Sequence, residues 1–196
     1  MPWCVPSSGV RQRFPACPVI GASMPPVETV AAAKRLHERM GKALLEDPAL
    51  RLALGEYREA IRRTGDSMQT CGVVAACAAC AVHGPGSCCF QDIQHCYDPV
   101  HILINLLLGC EVPDRAEKLE ECFFLGKAGC LLAARHAFCL NYLCPSLQES
   151  LDPDVRMRLL STVGEELDRG WKLELIIRRF ISRQVTRKTG CVADLF

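Results

Sequence analysis

Thiols dominate the chemistry open to this chain. Eight of its 14 cysteines form an ordered series: Cys77, Cys80, Cys88, Cys89, Cys122, Cys130, Cys139 and Cys144. Thiolates are soft ligands that select zinc, Cu(I) or iron–sulfur clusters. Cys77-Ala-Ala-Cys80 has the pair spacing common in structural zinc sites. Gly84, Pro85 and Gly86 follow it and let the chain turn back toward Cys88 and Cys89. Adjacent cysteines in an extended segment point opposite ways, so this pair needs a turn to share one ion, or else serves different ions. Cys139 and Cys144 lie five apart, about 140° around a helix, and cannot share a helical face. Pro145 disfavours helical geometry at the residue before it, so Cys144 should swing off the helix end and face back.

The order of these residues resembles a family. Cys-x-x-Cys, Cys-Cys, Cys122-x-x-Leu125, Gly129-Cys130, Arg135-x-x-x-Cys139 and Tyr142-x-Cys144 are similar to the zinc- or iron-chelating cysteine-cluster proteins of the YkgJ type. The similarity covers about residues 77–145. Two departures stand out. Seven residues, Ala81 to Ser87, separate the two cysteine pairs where the family has a very short link, and His136 stands where the family has proline. The resemblance implies a small cytoplasmic protein that binds a metal or an iron–sulfur cluster. It also implies a role for Arg135, as a cation beside an anionic thiolate site.

Other uses of these side chains remain open. Cysteine is also a small buried hydrophobe, and in an oxidising compartment it forms disulfides. Cys71, Cys96 and Cys110 fall outside the spacing pattern and are expected to be packing thiols, while Cys4, Cys17 and Cys191 are expected to be unligated. His83, His95 and His136 lie close enough in sequence to be additional ligands, yet a histidine in an apolar stripe is more often a core residue. His101, on an apolar helix, is a weaker candidate. Arg178, Arg179, Arg183, Arg187 and Lys188 make a basic end that suits the negative pole of a helix. No Gly-x-Ser-x-Gly, His-Glu-x-x-His, phosphate-loop or dinucleotide motif is present.

The elements that must position these residues read as helices. Val27 to Glu46 carries a partly apolar stripe. Asp47-Pro48 is a cap followed by proline at the first helical position, opening a second helix to about Arg63. Asp66 is expected to cap a third helix through Val82, with Val73, Cys77 and Cys80 on one face. Asp98-Pro99 opens a very apolar helix that ends at Gly109 and should be fully buried. Cys122 to Cys130 reads as a tight loop or short hairpin, and Leu131 to Leu143 has helical spacing. The last helix is expected from Pro153 to about Thr186, on a stripe that includes Leu159, Val163, Leu167, Trp171 and Phe180.

The fold class is therefore mainly α: a single helical domain, 27–190, with cysteine-rich loops between helices forming a metal-binding cluster. Residues 1–26, with six prolines and no periodicity, read as a disordered leader, and Met24 offers an alternative start. A formal net charge of +1 and an aromatic content of 6% argue against a nucleic-acid surface. No apolar run reaches the roughly 18–20 residues of a membrane span. The N-terminus lacks the pattern of a secretory signal, so the expected compartment is a reducing cytoplasm. The expected function is metal binding, in an accessory or electron-transfer role. An iron–sulfur cluster is favoured over zinc, because eight thiolates exceed one tetrahedral site and Phe123, Phe124 and Phe138 can shield a cluster. A redox or group-transfer enzyme using the cluster is the alternative. The partner is a protein or a small-molecule substrate that the sequence does not specify.

Overall fold

Three Asp-Pro pairs start helices, each by the same local chemistry. The Asp47 carboxylate accepts the Leu50 N–H at 2.9 Å and opens α2, Pro48–Thr70. Asp98 accepts the His101 N–H at 2.8 Å and opens α4, Pro99–Leu107. Asp152 accepts from Asp154 and Val155 and opens α7, Pro153–Thr189. In each case proline follows, where its missing N–H costs nothing. The computed structural model describes residues 24–83, 91–117, 121–127 and 129–189. The other elements are α1 (Pro26–Glu46), α3 (Val73–His83), a 3₁₀ turn (Gln91–Cys96), β1 (Leu125–Gly126), β2 (Gly129–Cys130), α5 (Ala137–Asn141) and α6 (Pro145–Ser150). The protein is mainly α-helical, as the periodicity predicts. The leader expected over residues 1–26 falls, up to residue 23, outside the described residues.

α2 lies along α7 and α1 along α4. Three apolar clusters hold these elements. One joins Val30 and Ala33 of α1 to Ile102 of α4 and to the cysteine segment, Cys122 to Leu125 and Leu132. A second joins Leu44, Leu50, Leu54 and Tyr57 to Leu103 and Ile104 of α4 and to Leu173 and Ile177 of α7. A third gathers Met68, Val73, Leu140, Leu143 and Leu147 against Leu159 and Val163 of α7. Arg63–Glu165 (3.4 Å) and Arg169–Glu56 (3.0 Å) bridge α2 and α7 at the surface.

Several boundaries differ from the sequence reading. α2 does not stop near Arg63. Its buried stripe continues through Thr64 and Met68, and Asp66 pairs with Arg62 instead of capping. The break comes at Gly72, which takes φ +80, a left-handed geometry that glycine adopts without penalty. Val73 is buried on α3 but Cys77 is exposed, so the two do not share a packed face. Residues 131–136 are not helical, and α5 begins only at Ala137. The cause is side-chain competition for the backbone. Asn105, fully buried, donates to the Ala134 carbonyl (3.0 Å) and accepts the Ala134 N–H (2.9 Å). The Tyr97 hydroxyl accepts the His136 N–H (2.9 Å). With those groups satisfied in an extended strap, a helix gains nothing there. The short hairpin at β1 and β2 agrees with expectation, pairing Leu125 with Cys130 and Gly126 with Gly129. On α7 the buried stripe runs Leu159, Val163, Glu166, Leu173 and Ile177, leaving Trp171 62% exposed.

Candidate metal centre and the adjoining cleft

The cysteine segment is fastened to the 3₁₀ turn and α4 by three side chains. Gln94 Oε1 accepts the Phe123 N–H (2.7 Å), Tyr97 holds His136, and Asn105 clamps Ala134. Just before β1 the chain turns, closed by the Leu125 N–H on the Cys122 carbonyl. This strapping sets where the thiols lie.

Cys139 Sγ approaches the Tyr97 hydroxyl at 3.9 Å. That hydroxyl accepts the His136 N–H, and its own proton is available to the sulfur. Burial raises the Tyr97 phenol well above its usual range, and the charges of Cys139 and then Cys130 raise it further. Cys130 therefore stands within electrostatic reach of the same phenol, although its side chain is exposed. Cys122 is buried at 7% exposure in the first apolar cluster, against which Cys96, Cys110 and Cys139 also pack. Cys122 and Cys139 thus share one apolar cluster with Tyr97, Phe123 and Phe124, and Cys130 acts on Tyr97 electrostatically.

The remaining candidates are placed differently. Cys144 is extended (φ −62°, ψ 158°), as Pro145 requires, and it forms the N-cap of α6. Its sulfur lies 3.1 Å from Ser146 Oγ and packs with Cys71 against the third cluster, not the first. Cys77 is on the exposed side of α3. The side chains of Cys80, Cys88 and Cys89 lie outside the described residues, as does that of His83. Among the described residues, no group of three or more His, Cys, Asp or Glu side chains is placed to hold a metal ion. Cys96 is disulfide-bonded, which corrects its reading as a packing thiol. Such bonds are rare in reducing compartments. No helix among the described residues is long and apolar enough to cross a membrane.

Beside this region is a cleft of about 420 Å³. Its walls come from Tyr57 on α2, from Cys96, Asp98, His101 and Ile104, from Arg135 to Ala137 where the strap enters α5, and from Leu167, Gly170, Trp171 and Glu174 on α7. Arg135 lies in this wall: its guanidinium donates to Met68 Sδ (3.6 Å) and acts electrostatically on Tyr57 and Glu166. None of those groups is a thiol. His136 is the N-cap of α5, its Nδ1 accepting the Phe138 N–H (3.2 Å), which leaves the proton on Nε2. His101 and His136 face one another at 6.1 Å between ring centres, and burial keeps both below the usual histidine range. Asp98 and Glu174 both pair with Arg178. Burial opposes ionisation of Asp98, but the His101 N–H and Arg178 outweigh it and hold the carboxyl below its usual range.

Sequence reasoning missed Tyr57, Tyr97, Asn105 and Glu166. The first three had no spacing signal, because each acts across the fold on a distant segment. Glu166 and Gly170 were legible in principle, since 159, 163, 166, 170, 173 and 177 recur at helical spacing. Compared with models of protein families, with curated proteins and with solved structures, the chain matches none.

Proposed function

We propose that this is a metal-binding protein that holds an iron–sulfur cluster, or alternatively zinc, through cysteine thiolates, in an accessory or electron-transfer role. The observation that supports it best is that Cys122 and Cys139 belong with Tyr97 to one apolar cluster, with Cys130 in electrostatic reach of the same phenol. The donor chemistry fits the group, since thiols are the ligands such centres take. Cys88 and Cys89, and with them Cys77, Cys80 and Cys144, are the further ligands that the YkgJ-type resemblance implies. A bound cluster would supply one-electron chemistry, and zinc would supply a fold staple. The chain's own part is to fix the thiols and control their surroundings. Tyr97 can donate a hydrogen bond to the Cys139 sulfur, drawing charge from it, a contact that tunes thiolate centres. Phe123 and Phe124 stack edge to face behind Cys122 and keep water from that side.

Anaerobic purification followed by iron, acid-labile sulfide and zinc analysis tests the reading. A coloured protein with iron and sulfide in stoichiometric amounts is expected. A colourless protein with stoichiometric zinc would select the alternative metal. A folded protein that takes up neither would overturn the reading.

A further inference from the structure

We propose that the cleft between α2, α4, α5 and α7 is a binding site for a small organic carboxylate with an apolar body, anchored by Arg135. This goes beyond the metal reading and does not depend on it.

The cleft collects hydrogen-bonding groups that the fold leaves unused. Tyr57 is only 3% exposed, yet its hydroxyl has no hydrogen-bond partner among the described residues. It keeps its proton, because burial and then Glu166 push its ionisation far above the ordinary range. Arg135 is a half-buried cation with no ion pair among the described residues, and its one hydrogen bond goes to a thioether. The Nε2–H of His136 and the ring of His101 complete the polar set. These polar groups line the same cleft, where a ligand can reach them.

The charge pattern selects the partner's sign. The acidic groups that line the cleft, Asp98 and Glu174, are tied to Arg178. Both histidines stay neutral at ordinary pH. Glu166 acts electrostatically on Arg135 but does not line the cleft, and burial raises its pKa. Arg135 is thus left as the cation to be matched, by a group that accepts two parallel N–H bonds. The shape selects the rest. Ile104, Ala137, Leu167, the Tyr57 ring and the exposed Trp171 ring form the other walls, suited to a hydrocarbon or aromatic body. A volume of about 420 Å³ is within the range of small-molecule sites. Gly170 belongs to the design: an added Cβ would meet the Tyr57 ring at 3.0 Å, so glycine lets that ring settle against α7.

The test uses the full chain with benzoate, benzamide and inorganic phosphate as probes, followed by calorimetry and by Trp171 emission. Benzoate should bind saturably in the millimolar range and benzamide much more weakly. Arg135→Gln should weaken benzoate by about tenfold or more, the loss of a charge-assisted bidentate contact. Tyr57→Phe retains the ring and removes only the hydroxyl, so it should weaken benzoate several-fold without disturbing the fold. Benzamide binding as tightly as benzoate, no saturable benzoate signal, or phosphate preferred over benzoate would each overturn the proposal. So would unchanged affinity in both variants.

Discussion

Asn105 is the residue on which the strap depends. It sits inside an otherwise apolar helix, where its amide takes both backbone groups of Ala134 and the His101 carbonyl. In the sequence it reads only as an interruption of a hydrophobic run, because its partner is 29 residues away. Asn105→Leu would keep the volume and orphan the Ala134 N–H and C=O. At about 1–3 kcal/mol for each unsatisfied group, the expected cost is about 2–6 kcal/mol in urea denaturation, with Arg135 and His136 loosened together. Glu166 presents the opposite case, a buried acid at 0% exposure whose two oxygens have no hydrogen-bond partner. Burial raises its pKa, while the nearby Thr64 hydroxyl and Arg135 oppose that rise. In the unfolded chain the carboxyl ionises around its ordinary value of 4.5, but the folded protein keeps it protonated to higher pH. Its contribution to stability is therefore full below that value and is lost as pH rises through the folded pKa. Glu166→Gln should match the wild type at about pH 4 and exceed it in melting temperature at about pH 8. Equal differences at both pH values would mean that ionisation is not the cause.

At the scale of elements, the helix starts were legible and the stops were not. Asp-Pro encodes a start in two adjacent residues, and all three instances cap as expected. The stop of α2 depends on whether packing repays continuing past Gly65, which only the facing surface of α7 decides. The strap over 131–136 has helical periodicity and still stays extended, since distant side chains capture its backbone. Within α7 the two mid-helix glycines separate propensity from packing. Gly164 is exposed, and a Cβ added there would meet nothing within 4 Å. Gly164→Ala should stabilise by about 0.8–1 kcal/mol, the helix-propensity difference. Gly170→Ala gains the same propensity but drives a methyl against the Tyr57 ring at 3.0 Å. That ring is packed in the second cluster, so the gain should be cancelled or reversed, and the cleft narrowed. Thermal melts of the two variants side by side decide the matter. If Gly170→Ala stabilises as much as Gly164→Ala, the ring is not confined as described.

For the whole molecule, the question is what holds the cysteine segment in place. Two supports are available. One is the thiol set, which a metal would cross-link, with roughly 10–16 kcal/mol of apparent binding energy in small sites. The other is the group of side chains, Gln94, Tyr97 and Asn105, that fasten the strap without any metal. The spacing of the cysteines made the first support visible in the sequence. The second was invisible there, because each fastening joins residues about 30 or more apart in the chain and leaves no periodic trace. The long helices stand apart from both: α2 and α7 bury their own stripes in the second and third clusters and owe nothing to the thiols of the first. If metal is the main support, verified chelation or Cys139→Ser should abolish hydrogen-exchange protection from Cys122 to Cys144 while α7 and the body of α2 keep theirs. The Ala134 amide is the sensitive reporter, since it is buried and bonded only to Asn105. If that amide stays protected after the metal is gone, Gln94, Tyr97 and Asn105 suffice to form the segment. The fold would then present a ready-made thiol site to its metal, rather than being assembled by it.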